Sequence, residues 1–206
     1  SNVVSYEDHM IVQHEDGIGW DILIRMELLT PLLQYAAGRE LEEAEILKLG
    51  IDMCRALELC RKKDIIHRDV KPENIFVSDN GDFKLGDFGI ARVIEKTTSG
   101  LSKKGTYTYM APEVYRGDAY GFGADIYSLG VVLYRFLNRS RTPFLPAYPD
   151  PIRYMDREQA VNRRVAGEAI PEPCTGSSRL KAAVLKACAY EPSERFASAQ
   201  EFRREL

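Results

Sequence analysis

The run His67-Arg68-Asp69-Val70-Lys71-Pro72-Glu73-Asn74 constrains this chain more than any other stretch of it. It sits between two elements that can be read from pattern alone. Upstream, about Leu41 to Lys62, apolar residues recur at helical spacing, with Leu47, Ile51, Cys54 and Leu57 along one face. Downstream, Ile75–Val77 and Phe83–Leu85 flank Ser78-Asp79-Asn80-Gly81-Asp82, the pattern of a small hairpin. A polar loop held between a long helix and a hairpin is a common place for catalytic groups.

Composition narrows the remaining choices. A chain of 206 residues, 45% hydrophobic and 29% charged, has enough material for one substantial soluble domain. Its net charge of -3 argues against a dedicated nucleic-acid binder, which would usually be basic. No apolar run approaches the ~18 residues that a spanning helix needs. Ser1 to Asp8 lacks the charged-then-apolar order of a signal peptide. Cys54, Cys60, Cys174 and Cys188 include no Cys-x-x-Cys pair, so reduced cysteines are expected rather than zinc ligands or disulfides.

Elsewhere, Tyr6–His14 and Trp20–Leu29 read as strands around a polar turn, Glu15 to Gly19. A short helix should follow, with Thr30 as its cap and Pro31 at its first position. Beyond Pro112 the pattern is helical, with helices expected near 124–138, 156–165, 178–190 and 198–206. Ser198 and Glu201 have the spacing of a capping box. The stretch with Pro143, Pro146, Pro149 and Pro151 reads as a rigid surface loop rather than a docking segment. Neither an internal repeat nor a second domain is visible.

Two further motifs follow the first in order. Asp87-Phe88-Gly89 begins thirteen residues after Asn74, at the end of the hairpin's second strand, and Ala111-Pro112-Glu113 closes twenty-four residues after Gly89. Together the three resemble the signature set of the serine/threonine protein kinase family, and the likeness runs from the hinge strand to the final helix. The style of the sequence is similar to bacterial members. The resemblance implies an α+β protein-kinase-like fold, with a mainly helical C-terminal lobe and an incomplete N-terminal sheet. Residues 1–29 would be remnant strands and hinge, and 30–206 the larger lobe, of one partial kinase domain.

The implied activity is transfer of the γ-phosphate of ATP, with Mg²⁺, to serine and threonine hydroxyls of a protein substrate. Such chemistry asks for positioning and charge neutralisation more than covalent work. Asp69 would accept or orient the hydroxyl proton, and Lys71 would bring positive charge to the γ-phosphate. Asn74 and Asp87 would give Mg²⁺ oxygen ligands, which it prefers. Gly89 would allow an activation segment to swing. Lys71, with Gly105-Thr106 before Tyr109-Met110-Ala111-Pro112-Glu113, marks serine/threonine rather than tyrosine kinases, and Thr106 would bond Asp69 and Lys71. Arg68 would receive a phosphate on the activation loop, where Thr97, Thr98, Ser99 and Ser102 are the candidate acceptors. At the hinge, Met26 would guard the adenine pocket, the Glu27 carbonyl and Leu29 amide would bond adenine, and Phe76 would form its floor. Glu113 and Arg195 would form a buried ion pair, and Asp125 would hold the catalytic loop's backbone. Tyr127 stands where the family often has tryptophan.

Some family features find no match here. No Gly-x-Gly-x-x-Gly occurs, Asp16-Gly17-Ile18-Gly19 reads as a turn, and the strand lysine and helix glutamate expected before Ser1 are not among these residues. Leu32 and Leu33 occupy the region where a ribose-binding carboxylate would be sought. Losing one phosphate-directed donor can cost ~10²–10³ in rate, so these residues alone should transfer phosphate poorly. The competing reading is a kinase-derived binding module without catalysis. A small-molecule phosphotransferase fits less well, because such enzymes usually lack the equivalents of Lys71 and of the 106–113 segment. The expected location is the cytoplasm, free or as part of a membrane-anchored protein, although no tether is visible in the chain.

Overall fold

The computed structural model describes residues 1–88 and 107–206, and places every strand of these before residue 86. In chain order come β1 (Tyr6–Gln13), β2 (Trp20–Met26), β3 (Thr30–Pro31), α1 (Leu32–Tyr35) and α2 (Glu43–Lys62). A 3₁₀ turn at Pro72–Asn74 leads into β4 (Ile75–Val77) and β5 (Phe83–Leu85). The helical part is α3 (Pro112–Arg116), α4 (Gly123–Leu137), α5 (Tyr154–Val165), α6 (Ser178–Ala187) and α7 (Ala199–Glu205). This is an α+β fold, with small N-terminal sheets and a predominantly helical C-terminal lobe.

Helix α4 is the element around which the lobe packs. It is apolar nearly all round, and every residue from Ala124 to Tyr134 is buried. A helix of that kind can only be central. Its neighbours are α2 on one side and α6 on another, while α7 packs on α2. Leu129 and Leu133 are fully buried, each contributing ~1.5–3 kcal/mol relative to exposure. Gly130 lets α6 approach closely: a Cβ there would lie 2.7 Å from Cys188 Sγ and 3.0 Å from Ala187 Cβ.

Helix α2 buries Cys54 and Leu57 as expected, but its buried face is centred to one side of the expected one. Leu47 and Ile51 are only partly buried, whereas Ile46, Leu49, Gly50, Met53, Cys54, Ala56, Leu57 and Cys60 face the core. Asp52 lies on this buried face too, because its carboxylate accepts the Phe83 amide at 3.1 Å and pairs with Lys48 and Arg55. That contact fixes the hairpin to the helix.

The strands form two separate sheets. β3, β4 and β5 are antiparallel in that order, with Thr30 opposite Val77 and Phe76 opposite Lys84. Residues 2–4 add a short parallel segment along β5, through Leu85 N–H to Asn2 O at 2.8 Å and Val4 N–H to Leu85 O at 2.9 Å. Thr30 therefore does not cap α1. It is paired in β3, and Pro31 takes the N-cap position with no side-chain bond. β1 and β2 make a two-stranded ribbon with Tyr6 opposite Met26 and Gln13 opposite Trp20. Both its faces carry exposed apolar side chains, among them Met10, Ile11, Ile22 and Leu23.

The expected capping box of α7 forms in modified shape. Ser198 Oγ accepts the Glu201 amide at 3.1 Å, while Glu201 returns its carboxylate to the Ala197 amide at 3.0 Å rather than to Ser198. All four cysteines are unpaired. Burial pushes the thiols of Cys60 and Cys188 up to about 11 and about 12, so both stay protonated and inert. Among the described residues, no helix is long and apolar enough to cross a membrane.

One buried ion pair joins the start of α3 to the loop before α7. Arg195 donates through Nη1 and Nη2 to the two oxygens of Glu113 at 2.7 and 2.8 Å, with the side chains 0% and 6% exposed. The guanidinium also donates to the carbonyls of Ala189, Tyr190 and Gly123, so it is satisfied on every side. Arg195→Ala leaves the Glu113 carboxylate buried without a partner, and should lower stability by ~3–5 kcal/mol. Urea unfolding checks this, and a midpoint equal to the parent's would remove the pair from the architecture.

Candidate active site

The loop after α2 is shaped by backbone hydrogen bonds to a buried carboxylate. Asp125, in the first turn of α4, accepts the His67 amide at 2.8 Å and the Arg68 amide at 2.9 Å. Burial pushes its carboxyl up from the usual carboxylate range, and those two amides oppose the shift. Arg68 adopts a left-handed φ of 68°, uncommon for a side chain of its kind. The two successive amides and that turn set the loop's direction.

His67 bridges the loop to the end of β5. Its Nδ1 accepts the Asp69 amide at 3.4 Å, which leaves Nε2 as the N–H that donates to Gly86 O at 3.1 Å. The ring also packs edge-on against Phe88, with centroids 4.9 Å apart. Sequence reasoning passed over His67 and Phe88 as site-building residues, although both belong to the motifs. Their contact joins the first motif to the second.

Around Asp69 the polar groups converge. Lys71 Nζ donates to Asp69 Oδ2 at 2.7 Å, and Asn74 Nδ2 donates to the same oxygen at 3.0 Å and to the Asp69 carbonyl at 2.9 Å. Asp69 and Lys71 are each about one-fifth exposed, so the pair is reachable from solvent. Asn74 is buried, and its carbonyl accepts the Gly86 amide at 2.9 Å. The next residue, Asp87, is exposed and has a left-handed φ of 52°.

The donor set suits a hard, partly hydrated cation. Asn74 spends its amide nitrogen on Asp69, which leaves its oxygen as the atom available to a metal. Asp87 forms no ion pair among the described residues. No cluster of three or more His, Cys, Asp or Glu residues suited to a metal occurs among the described residues. Two protein oxygens, with water and phosphate completing the shell, are a set that fits Mg²⁺ and not a closed structural site.

At the hinge, Glu27 and Leu29 follow β2. Neither the Glu27 carbonyl nor the Leu29 amide is bonded to another group among the described residues. The Glu27 side chain is engaged elsewhere: Lys84 Nζ donates to its oxygens at 2.8 and 2.6 Å, and the Ser5 amide donates at 2.6 Å. The Lys84 contact comes first in holding the Glu27 carboxyl below its ordinary range. Met26 is exposed at the end of the ribbon, and Phe76 is half-buried on β4 beside Gly86. Leu32 is buried in the core, so it does not face the site. The residues Thr97, Thr98, Ser99, Ser102 and Thr106, and with them Gly89 and Gly105, lie outside the described residues. Arg68 is exposed, with its guanidinium 5.6 Å from the centroid of the Tyr120 ring.

The fold thus places a carboxylate held by a lysine and an asparagine on a loop pinned to the central helix. The chain matches the model of the protein kinase domain over residues 3–205, and it belongs to that family. It is similar to bacterial serine/threonine-protein kinases of the PknB kind. It is 39% identical over 166 residues to serine/threonine-protein kinase PknB of Mycobacterium leprae, covering 79% of this chain and 26% of that protein. With PknB of Mycolicibacterium smegmatis the identity is 40% over 167 residues, covering 78% and 25%. A probable serine/threonine-protein kinase of Streptomyces coelicolor is 32% identical over 174 residues, covering 82% and 25%. The chain spans about a quarter of the length of these curated relatives. Use of ATP and Mg²⁺ is typical of the family.

The pinning by Asp125 can be tested without measuring catalysis. Asp125→Asn keeps the shape but replaces one acceptor oxygen with a donor, leaving one of the two amides facing an N–H. The loss should be ~1–3 kcal/mol of stability, the cost of an unsatisfied buried group. The amides of His67 and Arg68 should exchange with deuterium faster while those of α6 keep their rates. Unchanged exchange at both would mean that the carboxylate does not organise the loop.

Proposed function

We propose that this chain is the substrate-binding part of a kinase domain that transfers the γ-phosphate of ATP to serine and threonine hydroxyls of proteins. The observation that carries the reading is the Asp69 carboxylate with Lys71 at 2.7 Å and Asn74 at 3.0 Å, open to solvent on a pinned loop. Asp69 receives the proton as the hydroxyl oxygen attacks the γ-phosphorus. The bond from that phosphorus to the bridging oxygen breaks, and ADP leaves with the electron pair. Lys71 keeps an ammonium beside the carboxylate and beside the phosphate charge that develops. Asn74 and Asp87 would hold Mg²⁺, which would neutralise phosphate charge. The Glu27 carbonyl and Leu29 amide bond adenine, with Met26 behind it and Phe76 below.

Within this reading, residues 1–29 are strands and hinge of a smaller lobe, and residues 30–206 form the larger lobe. The ribbon of β1 and β2 supports that division, because a lone two-stranded hairpin with two apolar faces is marginal in water. The glycine-rich loop, strand lysine and helix glutamate of the family then come from outside these residues. Arg68 is the receptor for a phosphate on Thr97, Thr98, Ser99 or Ser102. In this reading ATP is the phosphate donor, which places the site in the cytoplasm, free or as part of a membrane-anchored protein.

Asp69→Asn in the full-length protein should lower turnover by ~10²–10⁴, the range of a lost general base. Asp87→Asn should act through metal affinity, so excess Mg²⁺ should recover part of its loss. Transfer of labelled phosphate to a serine/threonine protein substrate measures both. Equal turnover in the Asp69→Asn protein and its parent would contradict the assignment. A folded parent with no transfer at all would instead favour a binding module.

A further inference from the structure

Helix α5 carries an arginine that points the wrong way for a surface helix. Arg163 pairs outward with Glu168, but Arg164 is buried, 3% exposed. No carboxylate pairs with it among the described residues. Its Nη2 donates to the Thr108 carbonyl at 2.6 Å and to the Tyr107 carbonyl at 3.3 Å, and its Nη1 donates to the Tyr127 hydroxyl at 3.3 Å. An arginine cannot shed its proton to relieve burial. Backbone dipoles and one phenol are therefore what compensates the charge, and the compensation holds only while residues 107 and 108 stay where they are.

The same short segment is gripped from a second side. Arg135, on α4, donates to the Tyr109 hydroxyl at 3.2 Å. Four residues after Tyr109, Glu113 is locked by Arg195, whose guanidinium also lies 4.8 Å from the centroid of the Tyr127 ring. Tyr127 thus serves both arginines, one through its ring and one through its hydroxyl. Tryptophan at that position would bring an N–H, which only donates, and could not accept from Arg164. Tyr127 and Arg164 go together chemically. The outer side of the segment stays half-exposed at Tyr107, Thr108 and Met110, so what is held from within is presented outward.

We propose that Arg164 is a positioning residue for the protein substrate, fixing residues 107–110 as the ledge along which the polypeptide flanking the target hydroxyl lies. The proposal rests on the kinase reading above and deepens it. Arg164 touches neither the proposed nucleotide contacts nor Asp69. Its loss should weaken engagement of a polypeptide and leave ATP alone.

The test uses the full-length protein with myelin basic protein as a generic substrate. Arg164→Met should raise KM for that substrate about tenfold or more, the scale of a small misplacement of reacting groups, with KM for ATP within about twofold. Deuterium exchange of amides 107–110 should accelerate in the variant, while those of α2 keep their rates. Should Arg164→Met fail to fold, Arg164→Lys and Tyr127→Phe retain most of the packing, and should move both readouts in the same direction by about threefold each. Unaltered exchange at 107–110, or a rise in both KM values together, would overturn the proposal. A parent that transfers no phosphate would count against the kinase reading. In that case, anisotropy of labelled myelin basic protein replaces KM: weaker binding by the variant with faster exchange upholds Arg164's role, and equal binding refutes it.

Discussion

The carboxylate of Asp125 is the interaction on which the site depends. It is buried in the first turn of the central helix and is satisfied by the amides of two consecutive loop residues. Successive amides in an extended chain point to opposite sides, so bonding both to one carboxylate forces a turn, seen in the left-handed φ of Arg68. That turn directs His67 inward to Gly86 and Phe88, and brings Asp69 to the surface beside Lys71. The loop's shape is thereby referred to α4, which is buried along nearly its whole length.

Other buried charges act in the same manner. Asp52 ties α2 to the first residue of β5, Glu113 and Arg195 tie α3 to the loop before α7, and Arg164 ties α5 to the segment before α3. The first joins a helix to a strand, and the other two join an element to a stretch of chain that lacks regular structure. Apolar contacts in this protein hold helices to one another, but they do not specify the path of a loop. Taking charges out of water costs several kcal/mol apiece, and good hydrogen bonding recovers much of it.

Much of the fold was legible because local chemistry and tertiary position agree. The hairpin at Ile75–Leu85 carries apolar strand residues on both sides of an Asn-Gly turn, and it folds at those positions. Helices α4 to α7 begin and end within a few residues of the patterned segments. On α2, Cys54 and Leu57 are buried as the pattern implies, but Leu47 and Ile51 are only partly so, because Gly50 and Asp52, neither of them a large apolar residue, belong to the buried side. Thr30-Pro31 has the composition of a helix start, yet cross-strand pairing with Phe76 and Val77 claims both residues. Residues 2–4 are too few to show strand alternation, and their pairing with β5 is visible only in three dimensions. The motifs mark Asp69, Lys71, Asn74 and Asp87 as candidates, and the fold draws Lys71 and Asn74 onto Asp69. Arg164 carried no signal, since an arginine on a polar helix ordinarily faces solvent.

The account's central claim is that the group at Asp69 directs phosphate to aliphatic hydroxyls of proteins. Phosphoamino-acid analysis tests it most directly. The full-length protein is incubated with Mg²⁺ and ATP labelled at the γ-phosphate, together with a mixed protein substrate that is then hydrolysed. Label recovered in phosphoserine and phosphothreonine, with none in phosphotyrosine, is the predicted result. Label in phosphotyrosine, or no label in protein while ATP is bound, would contradict it.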